Sequence, residues 1–363
     1  MTLETAVVGS VGADSHLAGV QECPATELVA VCDGDEARAR EKATEYDANA
    51  YADFEGLLAR ESPEWIHLCT PVGTHLELAR MAIEDGIPVL IAAPVTDTVA
   101  NAAELERLVA EYDATVSVAH DRNFTPAVRS ARDHIEDGAV GEVRSVDLLY
   151  ACETWPDGAD RGAGAFELPG GEFEAGLAHP IYTVLNLGGF PSHPDSIQSS
   201  ASLLDGDQVF GYDSAQFQYT TDDGVLCSGT VVASDVSHRV IRVHGDRGSI
   251  EIDVESQSVT VRGRDEQATK TRALDTVGRV LNQIRGAAGS LTADADPDRA
   301  DDQAAPAPHR HQFAEEARAI QRDEPPAVPV DEGTWTLRII EAIRASSRAV
   351  PDEQTVPLQT DSA

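Results

Sequence analysis

The stretch Ala6-Val7-Val8-Gly9-Ser10-Val11-Gly12-Ala13-Asp14-Ser15-His16 is an apolar, β-rich run that stops at a glycine and restarts as helix. A strand, a tight glycine turn and a helix N-terminus together make an anion cradle of backbone N–H groups, the place where a dinucleotide pyrophosphate rests. The turn residues that would line it are Gly9, Ser10, Val11 and Gly12. The spacing is G-x-x-G instead of G-x-G-x-x-G, and Val11 and Asp14 stand near the places of the missing glycines. Asp14 would also bring negative charge towards the phosphates. A plain glycine turn reads this segment equally well.

Working outward, apolar runs recur at Leu28–Asp33, Trp65–Thr70, Val89–Ala92 and Thr115–Ala119. Helix-period stretches lie among them at Glu36–Tyr46, His75–Asp85 and Asn101–Tyr112. That alternation predicts βαβ units and a doubly wound parallel sheet of the Rossmann kind over residues 1–122, with its crevice at the carboxyl ends of the strands. Asp33 ends the second run, 24 residues after Gly9. An acid there accepts hydrogen bonds from both ribose hydroxyls and repels a 2′-phosphate, which favours NAD over NADP. Thr70 and Pro71 close the third run where a cofactor would pass, and His75 either meets the cofactor or merely starts a helix.

Beyond Phe124 the texture changes. A helix at Pro126–Asp137 leads to Val143–Ala151 and a glycine-rich segment, Gly158–Gly176. Strand-like runs follow at Ser196–Leu204, Gln216–Thr220, Leu226–Ala233, Val240–His244, Ser249–Val254 and Ser258–Arg262. The turns Thr221–Gly224 and Gly245–Gly248 join neighbours as hairpin loops do. Residues 123–348 therefore read as an α+β domain with a large open, mainly antiparallel sheet. Within it, 287–308 is an Ala/Asp/Pro insertion too polar to build core. Helices are expected at Gln312–Arg322 and Thr334–Ser347, and 349–363 is a tail.

The chain has 63 Asp and Glu against 27 Lys and Arg, a formal charge of -36, and lysine only at Lys42 and Lys270. Such a surface repels itself in dilute buffer and is tolerated where salt screens it, which points to a halophilic cytosol. Nothing forms a basic footprint for nucleic acid or an anionic membrane. No apolar run reaches spanning length, and no cationic leader precedes an apolar stretch, so a cytoplasmic location is expected. Five cysteines with no C-x-x-C spacing suggest neither zinc nor a redox pair, and no metal site is expected.

Several segments together carry a resemblance: Val29-Ala-Val-Cys-Asp33, Thr70-Pro71-x-x-x-His75, Val118-Ala-His120-Asp-Arg-Asn-Phe124-Thr-Pro126, Gly138-x-x-Gly141, Gly170-Gly171 followed by His179, and Val243–Asp253. In this order the sequence resembles the Gfo/Idh/MocA oxidoreductases, the group of glucose–fructose oxidoreductase and inositol dehydrogenase. The resemblance implies a nicotinamide-dependent reaction on a sugar, nucleotide sugar or polyol, and self-association as a homodimer or homotetramer through the second sheet. It also implies a Glu-Lys-Pro triplet at the end of the fourth strand and an Asp four residues before a His. The Lys would polarise the substrate hydroxyl and the His serve as acid/base. This chain has Ala92-Ala93-Pro94 there, and Ala175 four places before His179. Ala93 and Pro94 would still border the cofactor. The catalytic candidates left are His179, Glu174 as its orienting partner, and Tyr182 one helical turn further on. The alternative is a paralogue that binds cofactor or sugar and has lost the chemistry.

Overall fold

The computed structural model describes residues 2–10, 12–156, 168–204, 210–263 and 308–348. Val11, the 287–308 insertion short of Pro308, Lys270 and the 349–363 tail lie outside them.

The first unit is a Rossmann domain. Its strands are β1 (Leu3–Val8), β2 (Thr26–Cys32), β3 (Asn49–Tyr51), β4 (Trp65–Leu68), β5 (Val89–Ala92) and β6 (Val116–Ala119), all parallel in the order β3-β2-β1-β4-β5-β6. The helices are α1 (Asp14–Glu22), α2 (Glu36–Glu45), α3 (Phe54–Glu61), α4 (His75–Glu84) and α5 (Val99–Tyr112). Because helices cover both faces, strands such as Trp65–Leu68 are buried at every position, which explains their unbroken apolar reading. The order reverses between β1 and β4, so the crevice opens there.

Register decides what meets at that crevice. Val8 pairs with Cys32 on one side and Leu68 on the other, so Gly9, Asp33 and Cys69 emerge side by side. Ala92 pairs with Ala119, which sets Ala93 beside His120.

The second unit is a mixed sheet, built from β7 (Val143–Cys152), β8 (Gln198–Ser202), β9 (Ser214–Thr220), β10 (Leu226–Ala233), β11 (His238–Gly245), β12 (Gly248–Asp253) and β13 (Ser258–Gly263). The order is β13-β12-β11-β7-β10-β9-β8, antiparallel except for the β7–β10 pair. Along β9, Ala215, Phe217 and Tyr219 point inward while Gln216 and Gln218 face out, the alternation of a sheet covered on one side. Helices α6 (Pro126–Glu136), α7 (Gly171–Gly176) and α8 (Ala178–Gly188) accompany it; the buried Ala127, Val128, Phe173, Ile181 and Val184 share its core.

The chain then returns to the first unit. Helix α9 (Pro308–Arg322) lies on α1, with Phe313 and Ala317 in a core alongside Leu3, Val7, Leu17 and Trp65. Gln312, wholly buried, accepts from the His120 N–H and donates to the Val118 carbonyl. Helix α10 (Val330–Arg348) packs on α5 and α8, so it touches both units.

Under α9 sits a cluster of buried imidazoles. The His16 ring centroid lies 4.5 Å from that of His309 and 5.8 Å from that of His67. Burial, then neighbouring histidines, lowers the pKa of His16 and His67, and burial lowers that of His75 and His120. These four refuse protons that the unfolded chain binds below its ordinary value of 6.5, so they take stability away as pH falls through that value. Glu316 and Glu332 act oppositely: burial raises each to about 7, and the fold gains stability as pH falls from there. Four groups outweigh two, so stability should decline between pH 6.5 and 5. His67→Leu should shallow the slope by about 1.4 kcal/mol per pH unit, the worth of one proton. Urea midpoints at pH 7.5, 6.5, 5.5 and 5 check this; a slope unchanged by the substitution would contradict it.

Candidate active site

The cofactor candidates converge at the carboxyl edge of the first sheet. Gly9 has φ +90, and a β-carbon on it would lie 2.5 Å from the Cys69 carbonyl oxygen, so only glycine brings β1 this close to β4. Gly12 has φ +72 and open space where its β-carbon would be. Helix α1 starts at Ala13 with no side-chain cap, leaving its first N–H groups without that partner. Asp14 is drawn aside by Lys42 of α2, with which it forms an ion pair, so its charge is balanced. A bare, glycine-edged helix N-terminus fits a pyrophosphate.

Asp33 is buried at the end of β2. One carboxylate oxygen accepts from the Ser10 N–H (3.0 Å) and hydroxyl; the other accepts from the Asp35 N–H (2.8 Å) and the Arg38 guanidinium (3.0 Å). Burial alone would raise its pKa, but these hydrogen bonds outweigh burial and hold it below the ordinary carboxylate value. Ser10 thus ties the turn to Asp33. Thr70 and Pro71 follow β4, the Thr70 hydroxyl accepting from Thr74. His75 is buried, its ring nitrogens 2.9 Å from the Thr70 carbonyl and 3.3 Å from the Val95 carbonyl. It therefore braces the loop after β4 against the loop holding Ala93 and Pro94. The Ala93-Pro94 peptide is cis, and Ala93 packs against the cores of both units.

The second group lies where α8 meets the end of β6. His179 Nδ1 is 2.9 Å from the Tyr182 hydroxyl, which donates to Asp121 Oδ1 at 2.8 Å and accepts from the Arg122 N–H at 3.1 Å. A hydroxyl has one proton to give. Since Tyr182 gives its own to Asp121, His179 donates through Nδ1–H, which leaves Nε2 as the accepting nitrogen. Asp121 is buried, which by itself would raise its pKa. The Arg122 charge, the positive charge that His309 and His179 carry when protonated, and the Tyr182 hydroxyl overcome that and hold it well below the usual carboxylate range. Tyr182 is pushed upward by burial and by Asp121, so it stays protonated. His120 stacks on Tyr182 with centroids 4.2 Å apart and 14° between planes; burial lowers its pKa to about 3, and neither ring nitrogen has a partner among the described residues.

The structure corrects the role expected for Glu174. Its carboxylate accepts from the Arg344 guanidinium, the Tyr212 hydroxyl and the Gly170 N–H, and it is 1% exposed. Among the described residues no hydrogen bond or ion pair joins it to His179. The one-place offset from the Ala175 position turns it into the core, where it fixes α7 against α10. The carboxylate beside His179 is instead that of Asp121, which follows β6 and lies 3.8 Å from Nδ1. Its signal lay in the Val118–Pro126 segment, where His120-Asp121-Arg122 directly follows a strand. Among the described residues no cluster of His, Cys, Asp and Glu is arranged to hold a metal, and no helix is long and apolar enough to cross a membrane.

A parallel 3-2-1-4-5-6 sheet with a glycine-edged helix N-terminus, followed by an open mixed sheet whose packed helix α8 carries His179, is the two-part architecture of a Rossmann-type dinucleotide-binding protein. The chain belongs to the Gfo/Idh/MocA oxidoreductase family: residues 3–120 match its NAD-binding Rossmann fold and residues 128–251 its GFO/IDH/MocA C-terminal domain. Among curated relatives, the uncharacterized oxidoreductase YhhX of Escherichia coli is 25% identical over 261 residues, covering 69% of this chain and 70% of that one. D-xylose 1-dehydrogenase [NADP(+)] of Haloarcula marismortui is 30% identical over 111 residues, 28% of this chain and 31% of that one. Among solved structures, UDP-N-acetylglucosamine 3-dehydrogenase of Acidithiobacillus ferrooxidans superposes with a TM-score of 0.71 at 17% identity, over 95% of this chain and 98% of that one.

Proposed function

We propose that the chain is an NAD-dependent oxidoreductase that oxidises a hydroxyl of a sugar, nucleotide sugar or polyol, with His179 as the acid/base. The observation that carries this reading is the Asp121–Tyr182–His179 relay, which fixes the imidazole as an acceptor at Nε2. In the forward direction, Nε2 takes the proton of the substrate hydroxyl as the carbinol carbon gives up its hydride. When bound, the nicotinamide supplies the hydride acceptor. The imidazolium formed is balanced by Asp121, whose oxygen lies 3.8 Å from Nδ1. Tyr182 holds both partners in place and keeps its own proton. Gly9, Ser10, Gly12 and the first turn of α1 would hold the pyrophosphate, Asp33 the ribose, and Thr70, Pro71, Ala93 and Pro94 the path towards the nicotinamide. His75 acts on the cofactor through the loops it braces. The sugar relatives support the substrate class: one is named for D-xylose and another for a nucleotide sugar.

Cofactor choice turns on Asp33, buried and fixed by four hydrogen bonds, while Arg38 beside it is half exposed and offers a cation for a 2′-phosphate. NAD should bind more tightly than NADP by about tenfold, the worth of one charge-assisted hydrogen bond. Asp33→Ala should narrow the gap. Titration calorimetry in concentrated KCl measures both; tighter NADP binding would make Arg38 the deciding residue.

A second reading is favoured by Ala93, since a methyl group stands where the family's lysine is expected: a paralogue that binds NAD or a sugar without turnover. Following NADH absorbance over a panel of sugars and polyols separates the two. NAD binding with no turnover, in the parent and in Ala92→Glu/Ala93→Lys, would support the binding protein. We further propose a cytoplasmic, salt-screened setting for the -36 surface and self-association through the outward face of the second sheet, where Leu149 and Leu226 are exposed.

A further inference from the structure

His179 lines a small, partly open cavity between α8 and the second sheet, and the other walls are unlike the rest of this acidic protein. Leu148 and Ile241 make an apolar floor, and Arg122 and Arg239 bring two guanidiniums to it. Arg239 is half-buried on β11, directly opposite Tyr150 in the antiparallel ladder, with its guanidinium carbon 5.0 Å above that ring. Its Nε is buried with no hydrogen-bond partner among the described residues.

Arg338 likewise has a buried Nε without a partner among the described residues and stacks on an aromatic ring, Trp335, but of the two only Arg239 lines the cavity beside His179. The chain has 63 acids and 27 cations of Lys and Arg, and Arg38, Arg80, Arg107, Arg242 and Arg344 each have a carboxylate oxygen within 4 Å. No carboxylate of the described residues pairs with Arg239. Stacking on Tyr150 accounts for its orientation, at about 0.5–1 kcal/mol. It does not account for a desolvated donor left open in a cavity beside the acid/base group, because a buried donor without an acceptor costs free energy that the many surplus acids of this chain could remove. A planar guanidinium held flat on an aromatic ring is suited to two parallel hydrogen bonds with a carboxylate or phosphate. The apolar floor strengthens such a pair by lowering the local dielectric.

We propose that the substrate carries an anionic group, a carboxylate or a phosphate, and that Arg239 binds it while His179 takes the proton from a neighbouring hydroxyl. This deepens the oxidoreductase reading and rests on it for the identity of the pocket. A neutral sugar, offering only hydroxyls, would leave the Arg239 charge without a counter-charge in the complex. The strongly acidic exterior does not prevent entry, since exposed charges are screened over a few ångströms in concentrated salt while a half-buried guanidinium is screened less.

The test uses the full chain with saturating NAD at fixed ionic strength, and three probes of matched ring skeleton: D-glucose, D-glucuronate and D-glucose 6-phosphate. Binding is read by calorimetry, and turnover by NADH absorbance in the same samples. One or both anions should bind at least about tenfold more tightly than glucose, and Arg239→Gln should abolish that preference. The glucuronate and phosphate arms tell which anion is meant. Arg239→Lys should restore part of the preference, since it returns the charge without the fork. Thermal melts confirm that each variant is folded. Equal affinity for all three probes in the parent, or an anion preference that survives in Arg239→Gln, would overturn the proposal. The binding arm decides it even if no probe is oxidised, and absence of turnover bears instead on the oxidoreductase reading.

Discussion

His179→Ala should lower kcat/KM by about a hundred- to ten-thousandfold, the usual contribution of one positioned acid/base. The expectation is large because no lysine stands at Ala93 to share the work. Lys42, the one lysine among the described residues, is bound to Asp14 and Glu45, away from the second sheet. Two companions show whether His179 acts through the relay. Asp121→Asn keeps the shape and removes the charge that balances the imidazolium, so kcat should fall while NAD affinity holds. Tyr182→Phe breaks the link between Asp121 and His179, and the pH–rate profile should shift because Nδ1 has lost its fixed acceptor. Activity unchanged in His179→Ala would remove His179 from the chemistry.

Arg344→Leu should destabilise the fold by about 3–5 kcal/mol, the range for removing one partner of a buried ion pair. Glu174 is 1% exposed and its oxygens face Arg344, Tyr212 and the Gly170 N–H. Without the guanidinium, a carboxylate stays behind in the core with only neutral donors. Glu174→Gln combined with Arg344→Leu should recover part of the stability, because the amide retains an acceptor for Tyr212 without a charge to satisfy. Arg344 also donates to the Asp97 carbonyl at 3.2 Å, beyond the loop of Ala93 and Pro94, so α10 joins the two units at the crevice. Denaturant titrations of the four proteins give both single effects and their coupling. Additive losses would mean that the two side chains do not act as a pair.

The elements read from periodicity fall within a few residues of the observed ones wherever one physical signal dominates. Buried parallel strands give unbroken apolar runs, and the second sheet gives alternation, so Leu226–Ala233 and Ser258–Gly263 are both visible. The short strand Asn49–Tyr51 and the helix Phe54–Glu61 escaped because three mostly exposed residues at a sheet edge carry no apolar pattern. His179, Tyr182 and Asp33 were legible as chemistry because each follows a glycine turn, a helix start or a strand end. Asp121 and Arg239 were not: one is 58 residues before His179 in sequence, and the other sits in an ordinary strand.

By itself the sequence determined the two sheets, their order along the chain, and the acidic surface, because these depend on local pattern and composition. Tertiary structure alone decided that α9 and α10 return to the first unit, that Glu174 turns into the core towards Arg344, and that Asp121 lies beside His179 with Tyr182 bonded to both. It also left Arg239 without an acid beside the same pocket. Those outcomes depend on which strand ends lie side by side, and on the burial that makes an unpaired charge or donor costly, and neither is written in the spacing of residues along one strand or helix.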